Sequence, residues 1–170
     1  MSIWLPRNVA IAAESFEVLS KNGAPVPIGR RSMANVLVLY SFNDPAGIEP
    51  GEPGWASARM SVWARPDYGG YKAAWDEANR EHKIGEANDW APLGEVSDID
   101  HVYPQSWTTL PGKEVAYVRL YPVWSSVNRS LGARDEKRGL NNGSVKPLFR
   151  GGIAYADKYQ VFKMLGVHAF

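Results

Sequence analysis

Apolar and polar positions change period several times along this chain, and each change marks a predicted element. Ala12, Phe16 and Leu19 fall near helical spacing and predict a helix over 9–21, capped by Asn8 and stopped at Asn22-Gly23. Residues 24–28 hold two prolines and read as a connector. Residues 34–42, rich in Val, Leu and Tyr, predict a buried strand. Residues 43–55 contain three prolines and three glycines and predict a loop. A second strand follows over 58–64, then a turn at Pro66-Asp67-Tyr68-Gly69-Gly70. Tyr71, Ala74, Trp75 and Ala78 share one face of a predicted helix over 71–83, closed by Gly85. Residues 115–123 predict a strand ended by Pro122. Ser125 or Ser126 can cap a helix over 128–138, closed by Gly139, and a last helix is predicted over 155–165. No internal repeat or low-complexity segment interrupts this order.

The length of 170 residues suits one domain, or a small domain with an N-terminal extension. With 45% hydrophobic residues the chain can bury a core unaided. The absence of cysteine excludes a disulfide framework and any Cys-ligated zinc. The formal charge of +1 conceals an asymmetry. Residues 113–170 carry ten Lys/Arg against four Asp/Glu, a net of +6, and residues 1–112 carry a net of −5. A basic C-terminal part fits a polyanion, although a solvated surface explains it equally well. Residues 1–7 lack the pattern of a signal peptide, and the longest apolar stretch, 36–40, is too short to span a bilayer. These features predict a soluble, cytoplasmic protein with no membrane partner.

The densest chemistry lies in Asp98-Ile99-Asp100-His101-Val102-Tyr103-Pro104-Gln105-Ser106-Trp107. In a strand, Asp98 and Asp100 point to one face and His101 to the other. Carboxylates and an amide oxygen suit a hard divalent cation, and Asp100 and Asn128 supply these donor types. An imidazole ionises near neutral pH, which suits His101 to take a proton from water. Arg129, Lys137 and Arg138 can hold neighbouring phosphates.

The run Asp98-x-Asp100-His101-x-x-Pro104-Gln105-Ser106 resembles the first motif of HNH nucleases, and is especially similar to the HNH domain of CRISPR effector nucleases. Asn128-Arg129 resembles the closing motif, and the likeness covers about residues 94–139. It implies an α+β fold, with a ββα-metal (HNH-like) core in residues 91–170. An N-terminal α/β extension, residues 1–90, would recognise a target or partner. It further implies His101 as general base, and Asp100 and Asn128 as ligands of one Mg²⁺ or Mn²⁺, with Asp98 in support. Its middle position, usually Asn, falls on Arg119, nine residues before Asn128. There the chain departs from the pattern, and Arg119 can instead contact phosphate. No structural zinc is expected.

Each residue also has a plainer reading. His101 can be a core histidine, Asp98 and Asp100 turn or capping residues, and Asn128 an ordinary helix residue. Arg119 can lie on a solvent-facing strand surface. Lys137 and Arg138 suit the last turn of a helix, where cations complement its dipole. The leading expectation is a metal-dependent endonuclease acting on DNA, with RNA not excluded, of the kind carried by phages or mobile elements. If phage-encoded, it would act in the host cytoplasm. The alternative is a non-catalytic nucleic-acid- or protein-binding, inhibitor-like protein on an HNH-like scaffold. A third possibility is a structural module without an active site. Trp4, Trp55, Trp63, Trp75 and Trp90 are core residues by default, although some can stack on bases or form a partner surface.

Overall fold

The computed structural model describes residues 9–42, 60–82, 84, 97–109, 111, 112, 114–124, 148–157 and 160. They form β1 (Ala10–Ala13), α1 (Phe16–Asn22), β2 (Gly23–Val26), β3 (Val36–Ser41), β4 (Met60–Ala64), α2 (Tyr71–His82), β5 (Ser97–His101), β6 (Tyr117–Trp124), β7 (Leu148–Arg150) and β8 (Ile153–Tyr155). A 3-10 turn lies at Gln105–Thr109. Every strand pairing is antiparallel. The strands make one curled sheet, a half-barrel, in the order β2-β3-β4-β6-β1-β8-β7, and β5 also pairs with β6.

This architecture corrects the expected α+β fold with a ββα-metal (HNH-like) core and an N-terminal α/β extension. β5 and β6 do pair as a hairpin, but β6 also bonds β4 and β1 and is the central strand of the sheet. The reason lies in its alternation. Val118 and Leu120 face one side of the sheet and Tyr117 the other, and all three are buried. A strand that buries side chains on both faces is most stable in the middle of a sheet covered on both sides.

The same alternation runs through the neighbouring strands. Val36, Val38, Val62, Ala64 and Leu120 pack beneath Ala74, Trp75 and Ala78 of α2. Leu37, Leu39, Trp63, Tyr117, Ala13 and Ile153 pack with Leu19 of α1 on the opposite face. Near the start of β6, Val118 joins Ala12 and Ala154 under Val102, Tyr103 and Trp107. The buried Trp63 indole donates to Ser61 Oγ at 2.8 Å, so neither polar group is left unpaired.

Three local expectations are revised. The helix predicted over 9–21 begins later, because Ala10–Ala13 is a strand that pairs with both β6 and β8. Alanine favours helices, but two flanking ladders outweigh a weak propensity. Ser15 caps α1, its Oγ accepting from Val18 N–H at 3.2 Å, while Asn8 lies outside the described residues. The connector contains β2, which places Pro25 on an edge strand where a missing N–H is tolerated. Tyr155 is the last residue of β8 rather than a helix start.

Pro122 does not end its strand. Val102 N–H donates to Arg119 C=O at 3.0 Å, and hydrogen-bonded pairs alternate along an antiparallel ladder. Pro122, opposite Ile99, therefore falls at a non-bonded position toward β5. Its missing N–H faces the β4 side, where pairing stops at Val62 and Leu120. The proline ends one ladder and leaves the other intact.

Candidate functional site

β5 carries the acidic histidine segment, in register with β6. Asp98 lies opposite Val123, Asp100 opposite Tyr121, and His101 opposite Leu120. Directly opposed residues share a face, so Asp98 and Asp100 lie on the Tyr121 side and His101 on the Leu120 side. The two carboxylates are half-buried. His101 is buried, with 8% of its surface exposed, and its ring packs 4.2 Å from that of Tyr71, tilted by 55°. Tyr71 opens α2, so the helix start covers the imidazole. Nothing in the spacing of the two segments foretold this contact, since it joins elements about thirty residues apart.

Arg119 occupies the point where β6 changes partners. On one side of β6, β1 pairs with Tyr117 and Val118, and β5 takes over from Leu120 onward. Ala10 C=O diverges at this fork and accepts from Arg119 Nη1 at 3.4 Å. The Arg119 guanidinium also lies 5.9 Å from the Tyr121 ring centroid. Arg119 Nε is sealed from solvent and has no hydrogen-bond partner among the described residues. Burial lowers the pKa of Arg119 from its ordinary value, against a smaller opposing effect of Tyr121. The sequence offered a solvent-facing arginine or a phosphate contact; the described side chain points into the protein at the fork.

The Pro-Gln-Ser run after His101 forms the 3-10 turn. Trp107 N–H donates to Pro104 C=O at 3.0 Å, and Trp107 is buried edge-to-face on Tyr103, with centroids 5.3 Å apart. Gln105 Nε2 donates to Pro66 C=O, tying this turn to the one before α2. Tyr103 has its pKa pushed well above the usual range, chiefly by burial.

Among the described residues, the sequence singled out neither Ser61 nor Gln160, both buried and polar. Gln160 is fully buried; its Oε1 accepts from Asp157 N–H at 2.8 Å, and its Nε2 donates to Val102 C=O at 3.4 Å. The spacing Asp157-x-x-Gln160 matches a capping box, a signal that was available in the sequence.

Asn128, Arg129, Lys137 and Arg138 lie outside the described residues. Among the described residues no group of three or more His, Asp or Glu side chains is placed to hold a metal ion. Asp98 and Asp100 have the oxygen-donor chemistry of a hard divalent cation but supply only part of a shell. No described helix is long and apolar enough to cross a membrane, which says nothing of a β-barrel.

The fold and site thus define a mostly-β protein built on an antiparallel half-barrel, with a carboxylate–histidine strand beside its central strand. Comparison with protein-family models, with curated proteins and with solved structures finds no match.

Proposed function

We propose that the chain is a divalent-metal-dependent endonuclease that hydrolyses phosphodiester bonds in DNA from the β5–β6 ladder. The observation that carries this reading is the antiparallel register. It gathers Asp98 and Asp100 on one face of two paired strands, with His101 next in the chain and on the opposite face. The scaffold is the half-barrel, so the reading rests on residue chemistry and not on a shared fold.

Asp100 and Asn128 would hold the cation, with Asp98 in support. When bound, a divalent cation neutralises charge on the phosphate and supports the leaving oxygen. His101 takes the proton of the attacking water as the new P–O bond forms, and the P–O bond to the 3′ oxygen breaks, that oxygen taking a proton from solvent water. Arg129, Lys137 and Arg138 would supply attraction to the phosphate backbone, while Arg119 is turned inward onto Ala10 C=O. RNA meets the same chemistry, and a protein partner would be served by Trp4, Trp55 and Trp90, since Trp63 and Trp75 are core residues.

A second reading is binding without cleavage. It is favoured by one observation: the His101 ring lies under Tyr71, on the face opposite the carboxylates. Productive chemistry would need that ring to reach water.

Supercoiled plasmid incubated with Mg²⁺ or Mn²⁺ separates the two. Nicking that disappears with EDTA and in His101→Ala is expected from the nuclease. Intact plasmid, together with a retarded complex that weakens steeply with salt, would replace it by the binding reading.

A further inference from the structure

We infer that Gln160 is a positioning residue for His101, an inference that rests on the nuclease reading for its catalytic meaning. The residue after His101 is held by its backbone from two directions. Val102 N–H donates to Arg119 C=O at 3.0 Å, and Val102 C=O accepts from Gln160 Nε2 at 3.4 Å. Val102 itself is fully buried, so water cannot substitute for either bond.

The two ends of the Gln160 amide do different work. Oε1 accepts from Asp157 N–H and closes a local turn, as the third residue of a capping box does. Nε2 carries that closure 58 residues back along the chain, to the segment that leaves β5. A fully buried amide is costly unless both ends are satisfied, and here each has a partner. The partner of Nε2 is the peptide unit that joins Val102 to Tyr103, one residue beyond the histidine. From the other side, Tyr71 packs on the ring at 4.2 Å. The imidazole is thus placed by a helix start on its ring and by a C-terminal amide on its backbone. A shift of the Val102 peptide would turn the His101 ring against Tyr71.

Gln160→Glu separates the two roles. An ionised carboxylate still accepts from Asp157 N–H but cannot donate to Val102 C=O; because a protonated carboxyl can donate, Gln160→Leu, which cannot, is read beside it. The probe is the NMR signal of the His101 ring, which the Tyr71 ring current displaces, with His82 as internal reference. The expected result is a folded protein whose His101 resonance loses that displacement. Val102 amide exchange should accelerate with it. Gln160→Leu, which keeps the volume, gives the same readout should a buried carboxylate prevent folding. A folded variant with unchanged His101 and Val102 signals overturns the inference and leaves Gln160 a helix cap alone. In the plasmid assay, kcat should fall on the order of tenfold to a hundredfold with KM unchanged, because the residue acts through His101 and not on substrate. Absence of cleavage by the unmodified protein would overturn the nuclease reading, while the resonance would still decide the role of Gln160.

Discussion

Arg119 shows how much a single position depends on its surroundings. In the sequence it is one cation on a strand. In the fold its Nη1 reaches Ala10 C=O while its Nε is sealed without a partner among the described residues. A buried charge held by one long bond to a neutral carbonyl contributes little net stability, whereas its aliphatic stem fills space. Arg119→Met should therefore keep unfolding stability within about 1 kcal/mol of the native protein. Arg119→Ala should lose about 2 kcal/mol or more, through the cavity it leaves. Urea unfolding of both variants tests this, and equal losses would show that the charge itself stabilises. Tyr103 gives a pH prediction with a definite sign. Burial raises its pKa above the unfolded value of 10.0, so the stabilisation is whole below that value and is lost as pH rises above it. Tyr103→Phe should flatten the alkaline fall in stability, as followed by circular dichroism. An identical alkaline profile would mean that another group drives it.

Elements differ in how well their sequences announced them. β3, β4 and α2 were legible because their patterns are strong. Val36 to Leu39 is continuously apolar, and Tyr71, Ala74, Trp75 and Ala78 mark one helical face. β1 was not legible, since Ala10–Ala13 suits a helix as an isolated stretch and becomes a strand only between β6 and β8. The shorter α1 depends on its cap. Ser15→Ala removes the bond to Val18 N–H and should cost about 1 kcal/mol, seen as a lower midpoint in thermal unfolding. An unchanged midpoint would place the start of α1 under tertiary control alone. The approach of the 28–31 segment to α2 is similarly specific. Arg31 bonds Glu77 at 3.0 Å and the Tyr68 hydroxyl at 2.8 Å. Gly29 has a φ of 53°, and a Cβ there would displace the Glu77 carboxylate from its pairing with Arg31. Gly29→Ala combines backbone strain with that clash and should destabilise by about 1–3 kcal/mol, where Gly69→Ala, with open space around it, should not. Comparable losses at the two sites would refute the steric account.

At the scale of the molecule, β6 is the strand on which the fold converges, because β4, β1 and β5 all pair with it. Leu120 is 1% exposed at its centre, so Leu120→Ala should cost about 2–5 kcal/mol in one cooperative transition. A separate early transition would instead show that the β5–β6 pair unfolds by itself. The candidate site follows the same division between what is local and what is assembled. Asp98, Asp100 and His101 are adjacent in sequence, so their place on one strand and the alternation of their faces were readable directly. Tyr71 over the imidazole, Ala10 at Arg119 and Gln160 at Val102 come from distant segments, and no local period encodes such meetings. By itself the sequence determined β3, β4 and β6, the amphipathic α2 and the chemistry available on β5, because side-chain alternation and helical spacing are properties of consecutive residues. Tertiary structure alone decided that the β5–β6 hairpin joins an eight-stranded half-barrel and not a ββα unit. The physical reason is that β6 buries side chains on both faces, and which partners cover those faces is settled only when distant strands compete to bury them.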